Sequence, residues 1–111
     1  MSSKQLGPDL LRAVAERFKV LAEPARLSVL NELRPGGLNV SELIEATGLN
    51  QANLSKHLQL LHAHGFVARR RDGAFVIYEL ADRSVFDLCD MMCGQIKRRA
   101  DEQLTQLRAV R

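Results

Sequence analysis

Three groups of residues in this chain have types and spacings that could do chemistry. Cys89 and Cys93 stand four residues apart in DLCDMMCGQI. On a helix that spacing puts both thiols on one face, one turn apart. Soft thiolates suit zinc, copper(I) or arsenic(III). Two neighbouring thiols can also be oxidised to a disulfide or joined through a sulfur bridge. The second group is Asn50, Gln51, Asn53, Ser55, Lys56 and His57. Gln and Asn amides pair bidentately with adenine, while Ser and Lys hold phosphate or reach guanine. Asn50 is a natural cap for a helix whose positive end would face a phosphate backbone. The third group is Arg69, Arg70 and Arg71, which run directly into Asp72-Gly73. That charge suits phosphates or a minor groove.

Each group also has a plainer reading. A cysteine on an apolar stripe is often just a small buried hydrophobe. Polar residues at a helix start also describe a solvated face, and basic residues blunt exposed strand edges. His57, His62 and His64 share one segment, with no cysteine paired to them. No Ser-His-Asp set, paired-carboxylate cleft or Gly-rich phosphate loop is evident. The cysteines also lack the tighter Cys-x-x-Cys of a thiol-disulfide enzyme. The expectation is that the chain is not an enzyme.

The elements that must position these groups follow from apolar periodicity. A first helix spans about Pro8 to Ala22, with Leu10, Leu11, Val14, Phe18 and Leu21 recurring at helical steps. Pro24 opens a second, facing inward through Leu27, Leu30 and Leu33, and Pro35-Gly36-Gly37 stops it. A short third helix holds Glu42, Leu43, Ile44 and Ala46, with Ser41 as its candidate cap, and ends at Thr47-Gly48. Leu49-Asn50 leads into a fourth, about Gln51 to His64, with Leu54, Leu58 and Leu61 inward and Gly65 as its left-handed stop. Then the period changes. Phe66 to Arg71 and Ala74 to Leu80 read as strands joined by Asp72-Gly73, a hairpin signal. From about Arg83 to Leu107 one long helix carries an apolar stripe of Val85, Cys89, Met92, Ile96, Ala100, Leu104 and Leu107.

The third and fourth helices, set at an angle by a Gly-containing turn, have the make-up of a helix-turn-helix. With the basic hairpin as a wing, the fold class is mainly α with a small β-hairpin. It is a winged helix-turn-helix of five helices plus a two-stranded wing. At 111 residues it is one domain, 1–111. A helix of 25 residues runs about 37 Å, against about 35 Å for the diameter of a globule this size. Part of its stripe is therefore expected to meet a second subunit, a homodimer being the default.

Composition narrows the class further. The chain is 46% hydrophobic and 26% charged, which argues for a folded domain rather than disorder. Lys and Arg number 16 against 13 Asp and Glu, so the net charge is only +3 and its local placement matters more than its sum. No apolar run approaches the ~18–20 residues of a membrane span. Charges interrupt MSSKQLGPDLLRAVAERF, unlike a signal peptide. The expected location is cytoplasmic, where two cysteines are unlikely to form a structural staple.

Three segments resemble the ArsR/SmtB-type repressors, small dimeric winged-helix proteins of prokaryotes. AERFKVLAEPARLSVLNEL resembles that family's "FKALADPTRLRILxLL". LNQANLSKHLQLLHAHGFV is similar to its recognition helix, "LSQPTVSHHLKVLREAGLV". RRRDGAFVIYELAD is similar to its wing, "RREGRWVYYSLAD". The resemblance implies a homodimer, with first and last helices at the interface, bound to double-stranded operator DNA as a repressor. It also implies an inducer that releases the DNA. Gln51, Ser55 and His57 sit at family motif positions; Asn50, Asn53 and Lys56 depart from the commonest residues.

Two family metal sites are absent by the same comparison. VSELIEATG holds no cysteine where a Cys-x-Cys pair would stand. On the last helix Asp82 occupies the first ligand position, but Ser84, Gln95 and Arg98 fall at the others, and Arg cannot ligate a metal. Asp82 is read instead as a helix cap. Cys89 and Cys93 remain the expected effector and metal residues. The alternative is a regulator with inert structural cysteines, controlled by abundance or an organic ligand. A thiol-disulfide enzyme using Cys89 and Cys93 is the reading from another class, and a winged-helix module that binds only protein is a fourth.

Overall fold

The computed structural model describes residues 5–109; Met1–Lys4 of the N-terminal stretch and Val110–Arg111 lie outside them. Two compact units emerge, one up to Ala81 and the other from Asp82.

The first unit holds four helices and a three-stranded sheet. Helix α1 is Pro8–Leu21, with Pro8 and Asp9 in its first turn as the sequence suggests. Helix α2, Pro24–Glu32, begins after Glu23, whose carboxylate accepts the Ala25 amide. Strand β1, Leu38–Asn39, runs straight into helix α3, Val40–Thr47. The cap of α3 is Asn39, not Ser41. Asn39 Oδ1 accepts the Glu42 amide at 2.8 Å, and Glu42 Oε1 accepts the Asn39 amide at 2.9 Å, a complete capping box. Ser41 cannot compete because it already lies inside the first turn.

Helix α4, Gln51–Ala63, follows the turn at Gly48. Thr47 Oγ1 ties that turn, donating to the Leu43 carbonyl and accepting the Leu49 amide. The end of α4 is a Schellman motif: the Phe66 amide donates to the Leu61 carbonyl and the Gly65 amide to the His62 carbonyl. Gly65 takes φ +76°, which only glycine adopts at little cost, as the sequence anticipated. Buried Leu61 and Phe66 supply the accompanying apolar contact positions.

Strands β2, Val67–Asp72, and β3, Phe75–Leu80, form the hairpin. Asp72 pairs with Phe75, so the two-residue loop is Gly73-Ala74 rather than Asp72-Gly73. Gly73 alone has positive φ there, the sign pattern of a type II′ turn, which follows the right-handed twist of the strands. The sheet has a third strand that the sequence did not reveal. Its order is β1-β3-β2, all antiparallel, with Leu38 opposite Tyr78 and Asn39 opposite Ile77. Gly37 permits this approach: a Cβ there would lie 2.7 Å from Ile77 Cγ2 and 3.2 Å from the Tyr78 carbonyl oxygen.

The core of this unit is apolar: Val20, Val29, Leu30, Leu33, Leu43, Leu54, Leu58, Leu61, Phe66 and Val67. Leu54, Leu58 and Leu61 turn inward as their spacing indicates, and Ile44 is half-buried. In α2, Val29 takes the inward place expected of Leu27, which is exposed. No polar or charged side chain is buried among the described residues.

The second unit is helix α5, Val85–Ala109, with its lead-in turn. Asp82 Oδ1 accepts the Ser84 amide at 2.9 Å, and the Phe86 and Asp87 amides donate to the Arg83 and Ser84 carbonyls. Asp82 thus shapes the approach to α5. Of the apolar stripe, Val85 is buried and Cys89 half-buried, while Met92, Ile96, Ala100, Leu104 and Leu107 are exposed. Among the described residues no helix is long and apolar enough to cross a membrane.

Candidate nucleic-acid interface and thiol pair

The amino end of α4 is built to present polar groups. Its buried edge is set by Leu54, Leu58 and Leu61, so the intervening positions must face outward. Asn50 accepts the Asn53 amide at 2.8 Å and caps the helix as its sequence position suggests. Capping leaves most of the amide donors at that end directed along the axis, where an anion would sit. Gln51, Asn53 and Lys56 are exposed, and Ser55 is half-buried.

His57 differs from the others. It is half-buried, and its Nδ1 lies 3.3 Å from Arg26 Nη1. Arg26 Nε also donates to the Val20 carbonyl at 2.6 Å. One guanidinium therefore joins the end of α1, the start of α2 and the middle of α4. A second arginine holds the other end of α4: Arg17 Nη1 donates to the His64 carbonyl at 2.6 Å, and its guanidinium stacks 4.3 Å above the Phe66 ring. Arg17 and Arg26 went unnoticed in the sequence. Their contacts span 47 and 31 residues, and no local pattern encodes them.

The hairpin adds the basic surface. Arg69, Arg70 and Arg71 are all exposed. They lie along β2, behind the loop rather than at its tip. Strand alternation splits them. Arg69 opposes Tyr78 and Arg71 opposes Val76 on one face, while Arg70 shares the other with Ile77 and reaches Glu79 at 3.5 Å. A depression of about 340 Å³, lined by the three arginines with Val76 and Tyr78, marks this ribbon. Phe75, beside the loop, is 58% exposed.

On α5 both cysteines are free thiols, Cys89 half-buried and Cys93 exposed. The Asp82 position is engaged in its turn, and among the described residues no group of three or more His, Cys, Asp or Glu side chains could hold a metal ion. A four-ligand zinc site therefore does not fit the residues of one chain. Among the described residues the histidines join no such group, and His64 Nδ1 already lies 3.0 Å from the Leu60 carbonyl oxygen.

Comparison with known proteins agrees with this arrangement. Residues 21–70 match a family model described as a helix-turn-helix domain. The chain is 40% identical over 88 residues to the HTH-type transcriptional regulator NmtR of Mycobacterium tuberculosis, covering 79% of this chain and 73% of NmtR. The crystal structure of M. tuberculosis Rv0081 superposes with a TM-score of 0.78 at 35% identity, covering 89% of this chain and 99% of that one. The solution structure of Mb0332 from Mycobacterium bovis, a homodimeric winged helix-turn-helix DNA-binding domain and possible ArsR-family regulator, gives 0.69 at 33% identity over 95% of both chains. Matched across the helix-turn-helix and the wing alike, the chain belongs to the ArsR/SmtB family of winged helix-turn-helix transcriptional regulators, DNA-binding proteins rather than enzymes.

Proposed function

We propose that this chain acts as a homodimeric repressor, a single functional domain over 1–111 that grips double-stranded operator DNA and lets go when Cys89 and Cys93 are ligated or oxidised. The observation that carries the DNA reading is the pairing, within one unit, of a capped helix end bearing exposed Gln51, Asn53 and Lys56 with a ribbon bearing three exposed arginines. Gln51 and Asn53 read base edges, with Asn50, Ser55, Lys56 and the helix end on phosphates. Arg69, Arg70 and Arg71 grip the neighbouring backbone or minor groove. His57 acts through Arg26, holding the reading helix in place.

The dimer reading rests on exposed apolar faces. Leu10, Leu11 and Phe18 of α1, and Met92, Ile96, Leu104 and Leu107 of α5, are each more than a third exposed. Apolar surface on that scale marks an interaction site, and homodimeric Mb0332 offers the precedent. The effector reading rests on two free thiols one turn apart, one of them exposed.

Binding of a labelled duplex from the chain's own promoter tests the first part. Affinity should fall steeply with salt, and Gln51→Ala or Asn53→Ala should alter sequence preference. A salt-independent complex overturns the reading. For the effector, DNA release by soft metals, peroxide or polysulfide should disappear in the Cys89→Ser/Cys93→Ser variant. Release that persists there assigns control to something other than the thiols.

A further inference from the structure

We propose that Cys89, Met92 and Cys93 form a three-sulfur site for cuprous copper on α5. The site rests on the reading of the two cysteines as the effector residues, and adds a ligand and an ion to it.

The residues stand at i, i+3 and i+4 of one continuous helix. At 3.6 residues per turn they fall within about 100° of its circumference. Side chains at these spacings are surface neighbours. Met91 points to a different side of the helix and is no part of the set. In the single chain Cys93 is exposed, Met92 is 54% exposed and Cys89 is half-buried, so an ion can reach all three sulfurs before two α5 faces meet.

The donor set selects the ion. Zinc closes its structural sites with four ligands, and no third His, Cys, Asp or Glu joins the thiols among the described residues. Arsenic(III) held by thiolates alone prefers three, and the chain contains only two cysteines. Copper(I) is soft, is selected by thiolate and thioether sulfur, and is satisfied by low coordination. Two thiolates and one thioether complete a trigonal site without any residue from elsewhere.

Binding forms two Cu–S(thiolate) bonds, with both thiol protons passing to solvent, and one Cu–S bond from a thioether lone pair. Copper enters and stays cuprous, so no electron moves. The occupied site carries one net negative charge. Lys97, exposed and four residues on from Cys93, is the basic residue on that side of the helix that offsets it. A purely apolar role for position 92 would be served equally by leucine, and that exchange separates packing from ligation.

The test uses the reduced, full-length protein under anaerobic conditions, with copper(I) supplied as its bicinchoninate complex. Competition gives stoichiometry and affinity, and X-ray absorption at the copper edge counts sulfur neighbours. One copper(I) per chain with three sulfurs is expected. Met92→Leu should lose one sulfur and bind at least roughly tenfold more weakly, the lower end of what even an outer partner of a metal ligand contributes. Its circular dichroism should be unchanged. Two sulfurs with the same affinity in both proteins, one copper shared by two chains, or no copper held against the chelator each overturn the site. DNA release is read separately. A three-sulfur copper site that leaves DNA bound keeps this proposal and removes the sensor reading; release by oxidants from a protein that binds no copper does the reverse.

Discussion

Arg70 lends part of its charge to Glu79, 3.5 Å away on the same face of the ribbon, whereas Arg71 stands on the opposite face across from Val76. Both are exposed, so neither arrangement contributes much to folding. On DNA the difference should matter. Arg71→Ala is expected to weaken binding to all duplexes alike and to lower the slope of log affinity against log salt by about one, the signature of one lost phosphate contact. Arg70→Ala should change that slope less, and Glu79→Gln should strengthen binding by freeing Arg70. Fluorescence anisotropy across a salt series checks all three; equal slopes for the two arginine variants would refute the division. At this scale the sequence showed which residues carry polar and basic chemistry, because their types and their spacing against Leu54, Leu58 and Leu61 are local. It did not show that His57 faces Arg26, because a long side chain bridging three helices leaves no periodic trace.

Among the elements, all five helices and the hairpin were legible, since each carries its own period or its own stop signal. β1 was not. Two residues have no alternation to read, and their pairing depends on the far strand arriving alongside. The inward face of α2 was half-read for a related reason: apolar residues at 25, 27, 29 and 30, with Leu33 at the C-cap, allow more than one face in a nine-residue helix. Gly37 tests whether the third strand matters. Gly37→Ala would drive its Cβ against the Ile77 side chain and the Tyr78 backbone. A stability loss of about 1–3 kcal/mol is expected, the usual cost of overpacking, and thermal denaturation measures it. Asn39→Ala, which breaks only the capping box, should cost about 1 kcal/mol. An unchanged midpoint for Gly37→Ala would mean the strand can move aside freely.

For the molecule as a whole, assembly is the quantity at stake. Ile96 is 68% exposed on α5, and a carboxylate there would oppose its own copy, or be stripped of water, in any interface that covers it. Ile96→Glu is therefore expected to yield monomers by sedimentation, with folded-state circular dichroism retained. Operator affinity should fall far more than non-specific binding does, because two reading heads no longer act together. A dimer that survives this substitution places the interface elsewhere. The long apolar stripe was visible in the sequence, yet what covers it was not, since a repeating pattern records only that a face avoids water.

The short pairing of Leu38–Asn39 with β3 has one more consequence. Asn39 both ends that strand and caps α3, so the ribbon is stitched to the start of the helix-turn-helix by consecutive backbone atoms. Reading helix and ribbon then behave as the two jaws of a fixed-gap caliper. Such a protein measures as well as reads. A half-site lengthened by one base pair between the bases under α4 and the phosphates under the ribbon should be rejected outright, even with every base-specific contact still on offer.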